Sequence, residues 1–93
     1  MKNTLVWTRT FVRTARRFLC RHPELRGDFE MVLRRLEDDP AHPSLRLHAL
    51  KGNHQGKHAV SLTYSYRIVL ILVLEDAEIV LLDVGAHDDV YRQ

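Results

Sequence analysis

The 93-residue chain has one cysteine, Cys20, so it can form no intrachain disulfide, a usage that fits a reducing compartment. With only four glycines and three prolines it shows no repeat, linker or low-complexity segment. Its longest apolar run, Ile68 to Leu74, is far shorter than the roughly 20 residues a bilayer span needs. No apolar stretch follows Lys2, so no signal peptide is expected. Acidic side chains are missing from Met1 to Arg21, where Lys2, Arg9, Arg13, Arg16, Arg17 and Arg21 lie. They are missing again from Ala41 to Leu74, which holds Arg46, Lys51, Lys57, Arg67 and four of the six histidines. The net charge of +2 therefore hides a segregation that makes an electropositive face, able to attract a polyanion or an acidic partner. A composition 45% hydrophobic and 28% charged argues against disorder. These features point to one small cytoplasmic domain spanning 1–93, without a membrane segment.

What is present reads as an α+β chain. Lys2–Trp7 is β-rich and short, a strand. Thr8 or Thr10 can cap a helix whose apolar stripe is Phe11, Val12, Ala15, Phe18 and Leu19, with the arginines on the other side. His22-Pro23 ends that helix, and Pro23 suits the first turn of a second one, striped by Leu25, Phe29, Val32, Leu33 and Leu36 and stopped at Asp38-Asp39-Pro40. Alternation of Leu45, Leu47 and Ala49 with Arg46 and His48 predicts a half-buried strand, and Lys51–Gly56 a turn. Strands follow at Lys57–Thr63, Tyr66–Leu74 and Ile79–Val84, the middle one apolar enough to be central, and Gly85–Gln93 reads as a polar tail. The order β-α-α-β-β-β describes an antiparallel sheet with an N-terminal helical hairpin packed on one face.

No phosphate-cradling glycine loop, paired CxxC or nucleophile elbow occurs. His54 and His58 have an H-x3-H spacing, but they straddle a glycine turn and a strand, and no acid lies between Asp39 and Glu75, which argues against a metal site. Cys20, beside Phe18-Leu19, reads as a buried or inert thiol. That leaves imidazoles and cations on the sheet segments and tail: His48, Lys51, His54, Lys57, His58, Arg67 and His87, with Tyr91. Cleavage of RNA by its own 2′-hydroxyl needs a base, an acid and a cation facing the phosphate. Histidine titrates near neutrality and arginine forks onto phosphate oxygens, so such a set needs no metal or other cofactor. The competing reading is ordinary surface histidines.

Leu50-Lys51-Gly52, Gly56, Tyr66-Arg67-Ile68 and Gly85-Ala86-His87-Asp88-Asp89-Val90-Tyr91, in that order along nearly the whole chain, resemble the RelE/ParE superfamily of bacterial type II toxins, nearest the RelE/StbE and YafQ-like mRNA interferases. The resemblance implies a ribosome-dependent endoribonuclease that cuts mRNA and an acidic antitoxin that wraps and neutralises it in a hetero-oligomer. It places His87 and His48 on catalytic histidines, His58 near a catalytic lysine, Arg67 on the phosphate-binding arginine and Tyr91 on the terminal aromatic. Lys51, His54 and Lys57 join Arg67 as phosphate contacts. The basic N-terminal helix would dock on the antitoxin or on ribosomal RNA. Two further catalytic positions hold Ser61 and Ser65, and a lysine position holds Val60, a depleted set. A ParE-like inhibitor of DNA gyrase, or a relative that only binds its antitoxin, is the alternative.

Overall fold

Thr8 is the hinge on which the N-terminal third turns. A computed structural model describes residues 2–90, the side chains of positions 88 and 89 excepted. Strand β1 (Thr4–Trp7) stops at Thr8, whose hydroxyl accepts the Phe11 N–H at 3.1 Å and so caps helix α1 (Arg9–Arg21). The same hydroxyl donates to the Leu81 carbonyl at 2.7 Å, which fixes the helix start against the sheet. A 3-10 turn at Pro23–Leu25 joins α1 to α2 (Arg26–Asp38). Strands β2 (His48–Ala49), β3 (His58–Ser61), β4 (Tyr66–Val73) and β5 (Glu78–Ala86) follow, and β5 runs into a short helix α3 (His87–Val90).

The five strands lie in the order β1-β5-β4-β3-β2. The α+β architecture with both helices against the sheet is the one expected, and β2 to β5 are antiparallel neighbours. The N-terminal strand, however, pairs parallel with β5, Thr4 opposite Glu78 and Trp7 opposite Leu81, so the sheet is mixed. A strand that must cross two helices before the meander begins can reach the last strand of that meander and lie along it in the same direction.

Phe11, Ala15 and Phe18 from α1 and Phe29, Val32 and Leu36 from α2 pack on Val60, Ile68, Leu70, Ile79, Leu81 and Val84 of the sheet. Trp7 meets Phe11 edge-on at 5.0 Å, and Phe11 stacks on Phe29 at 6.1 Å, joining β1 to both helices. Leu82 bulges out of β5 opposite the Val69–Leu70 step of β4 and shifts the register, so that Leu70 faces Leu81 while Val69 faces Asp83. The extra residue lets Leu81 and Val84 both serve the helix side and turns Asp83 to the other face.

Two segments differ from the sequence reading. Leu45–Ala49 is not a five-residue strand. Pro43–Leu45 forms a 3-10 turn, Arg46 takes the left-handed conformation (φ 51°), and pairing begins only at His48. The alternation still did its work, since Leu45 is 1% exposed and Leu47 packs against the core. The polar tail is likewise structured as far as Val90, which is buried.

Candidate nucleic-acid interface

Strand alternation and the pairing register decide which candidate residues share a face. Residues opposite one another point the same way. Ile68, Leu70 and Val60 point to the helices, so Arg67, Val69, Ala59 and Ser61 point to the opposite face, where Ala59 and Val69 are buried and Arg67 and Ser61 are half-buried. His48 is opposite Ala59, and Gly85 is opposite Arg67, so both belong to that face as well. His87 follows two residues after Gly85 at the start of α3 and is exposed. The Gly85–Arg67 pairing brings the start of α3, and with it His87, to the end of the sheet where Arg67 lies. His48 sits two strands from Arg67 and two residues along, about 12 Å between Cα atoms by ordinary sheet spacings.

His58 does not join them. It is opposite Leu70, which puts it on the helix side of the sheet, and its Nδ1 is buried without a hydrogen-bond partner among the described residues. The sequence reading grouped it with His48 and Arg67 because a one-residue step along a strand is invisible in composition but reverses the side chain's face. Lys51, His54 and Lys57 lie in the β2–β3 connection, at the opposite end of β3 from Ser61 and Arg67. Lys57 precedes Ser61 by four residues, about 13 Å along the strand. Tyr91 lies outside the described residues.

Arg67 is half-buried and anchored. Its Nη1 donates to the carbonyls of Thr63, Tyr64 and Tyr66 at 3.1, 3.2 and 3.2 Å. A guanidinium has five N–H groups, so fixing Nη1 leaves Nη2 and Nε as a held pair of donors with the geometry of a phosphate fork. Arg67 makes no ion pair among the described residues. His48 is exposed, and its Nδ1 is 2.9 Å from the Arg46 carbonyl. A carbonyl only accepts, so Nδ1 carries the hydrogen and Nε2 of the neutral ring carries the lone pair. That is the tautomer of a general base, set by the left-handed turn at Arg46. Together the two residues offer an oriented cation and an oriented proton acceptor on one face.

A second feature stands at the same end of β5, on the side of α1. A cavity of about 410 Å³ opens between α1 and the end of β5, lined among others by Arg17, Arg21, His22, Tyr66, Asp83 and Val90. Arg17 and Arg21, one helical turn apart, make no ion pair among the described residues. Phe18, His22 and Tyr66 form a ring cluster with centroids 4.8 to 4.9 Å apart. Asp83 is 7% exposed, and its Oδ1 accepts the Val84 N–H at 2.8 Å. In the sequence the signal for this cavity is a lone carboxylate, Asp83, inside the apolar run from Ile79 to Val84, together with the basic helix. Cys20, expected to be buried or inert, is exposed. Among the described residues no group of three or more His, Cys, Asp or Glu side chains is placed to hold a metal ion, and no helix is long and apolar enough to cross a membrane.

No protein-family model and no curated protein matches the sequence. Solved structures do match the fold. YafQ from E. coli strain BL21(DE3) superposes with a TM-score of 0.81 at 12% identity, covering 97% of this chain and 99% of that one. The E. coli DinJ–YafQ toxin–antitoxin complex matches with a TM-score of 0.79 at 13% identity, over 98% and 99% of the two chains. A YoeB/ParE toxin from Agrobacterium tumefaciens gives 0.74 at 19% identity, over 90% and 98%. At such identities the likeness speaks of backbone arrangement, and it extends over nearly the full length of each partner. The chain has the RelE-type toxin fold.

Proposed function

We propose that this protein is the toxin of a bacterial type II toxin–antitoxin system and acts as a ribosome-dependent mRNA endonuclease. The observation that carries the reading is Arg67, held by three carbonyls with two donor groups left over, at the end of the sheet where His87 opens α3 and on the same face as His48. In this reading Arg67 takes the scissile phosphate and offsets the charge that builds on it. His48, with its lone pair on Nε2, takes the 2′-hydroxyl proton, and His87 protonates the leaving 5′-oxygen. Proton goes in at one oxygen and out at the other, so no metal is required. Lys51, His54 and Lys57, displaced along the sheet, meet the RNA backbone away from the cut, and Tyr91 has the substrate-orienting role that the resemblance implies. His58 has no proton-transfer role. The toxin-antitoxin assembly of the similar DinJ–YafQ complex supports an antitoxin as partner here, drawn to the basic α1.

The test is a bacterial translation reaction with the purified chain, mapping new mRNA 3′ ends with and without ribosomes. Ends in register with codons, dependent on ribosomes and reduced about 100-fold or more in Arg67→Ala and His87→Ala, are expected. Full activity of His87→Ala removes it as the acid. An intact message moves the assay to DNA gyrase supercoiling, the activity of a ParE-like inhibitor.

A further inference from the structure

Tyr64 stands 94% exposed at the turn between β3 and β4. A large ring left almost wholly in water forgoes the burial that such side chains ordinarily gain. The turn does not let it roam. The Leu62 N–H donates to the Tyr66 carbonyl at 2.9 Å and the Tyr66 N–H to the Thr63 carbonyl at 3.4 Å. The Ser65 N–H donates to the Thr63 hydroxyl at 3.3 Å, and the Arg67 guanidinium clamps the carbonyls of Thr63, Tyr64 and Tyr66. An aromatic side chain with two rotatable angles on a braced turn is a low-entropy contact surface.

Its position relative to the cation is equally fixed. Arg67 Nη1 lies 3.2 Å from the Tyr64 carbonyl oxygen. Adding the backbone bonds from that oxygen places the guanidinium no more than about 6 Å from the Tyr64 Cα. A phosphate on the free edge of Arg67 and a flat group on the ring of Tyr64 are then parts of one nucleotide or of neighbouring ones.

We propose that Tyr64 is a nucleobase-stacking residue: its ring takes one unpaired base of the RNA strand whose phosphate Arg67 binds. The inference rests on the RNA-directed reading above and adds to it a residue that sets affinity and register on the strand. Because every base has a π-face, the contact positions the RNA without choosing its sequence.

The experiment is the anisotropy of a fluorescein-labelled single-stranded RNA decamer at fixed low salt. It compares the unsubstituted protein with Tyr64→Ala, Tyr64→Phe and Arg67→Ala, each checked for folding by circular dichroism. Tyr64→Ala is expected to weaken binding about 5- to 150-fold, the range of one base–aromatic stack, and Tyr64→Phe to bind as the unsubstituted protein does. Removing single bases along the decamer is expected to weaken binding at one position, and this penalty disappears in Tyr64→Ala. If Arg67→Ala binds weakly while Tyr64→Ala binds normally, the stacking role is overturned and the RNA-directed reading stands. Equal losses in Tyr64→Phe and Tyr64→Ala overturn it too, by assigning the contact to the hydroxyl. No binding by the unsubstituted protein overturns the stacking role, while the RNA-directed reading is decided separately by the translation reaction.

Discussion

At the scale of single residues, this protein's candidate chemistry depends on backbone carbonyls as much as on side chains. Arg46 and Ala77 both take the left-handed conformation, at φ 51° and 52°. For Arg46 the conformation aims a carbonyl at His48 and so decides which imidazole nitrogen is basic. For Ala77 it closes the β4–β5 connection, with its N–H on the Leu74 carbonyl and its own carbonyl accepting the Thr4 N–H at 2.8 Å. An L-residue in this region costs about 1–2 kcal/mol, against an entropic cost of about 0.5–1 kcal/mol for glycine. Ala77→Gly is therefore expected to raise stability by about 0.5–1 kcal/mol, read as a higher urea midpoint at unchanged slope. The identities of Arg67, His48 and His87 were legible in the sequence as candidates. The anchoring of Arg67 and the opposite facing of His58 were not, because both depend on where a turn ends and which way a strand is phased.

At the scale of elements, the long periodic segments behaved as their patterns required and the short ones did not. Helices α1 and α2 begin and end close to the cap and proline signals that mark them, since each stripe of apolar residues has only one way to face the sheet. The β2 segment is two residues long because Arg46 turns the backbone away just before it, an event no alternation of Leu45 and Leu47 reveals. Thr8 couples two elements: it caps α1 and holds the β5 backbone. Thr8→Ala removes the cap acceptor and one hydrogen bond to Leu81, and an overall loss of about 1–2 kcal/mol in urea unfolding is expected. Thr8→Ser keeps the hydroxyl and is expected to stay within about 0.5 kcal/mol of the unsubstituted chain.

At the scale of the whole molecule, a small core carries every face that the candidate interface needs. Phe11 is wholly buried where β1, α1, α2 and the sheet meet. Phe11→Ala is expected to cost about 3–5 kcal/mol, a large part of the roughly 5–15 kcal/mol available to a domain. Trp7, the only tryptophan, touches Phe11 edge-on and reports the transition by its own fluorescence. The α+β class, the helical hairpin, strands β3 to β5 and the segregation of charge were all legible along the chain. These follow from periodicity, caps and composition, which are local properties of a chain. What folding in three dimensions added is that β1 lies parallel to β5, that a bulge turns Asp83 from the helices, and that Arg67 and the start of α3 share one end of the sheet while Lys51 and Lys57 stand at the other. Those outcomes depend on register and on contacts between residues far apart in sequence. A shift of one residue there reverses every side chain while leaving the local pattern unchanged.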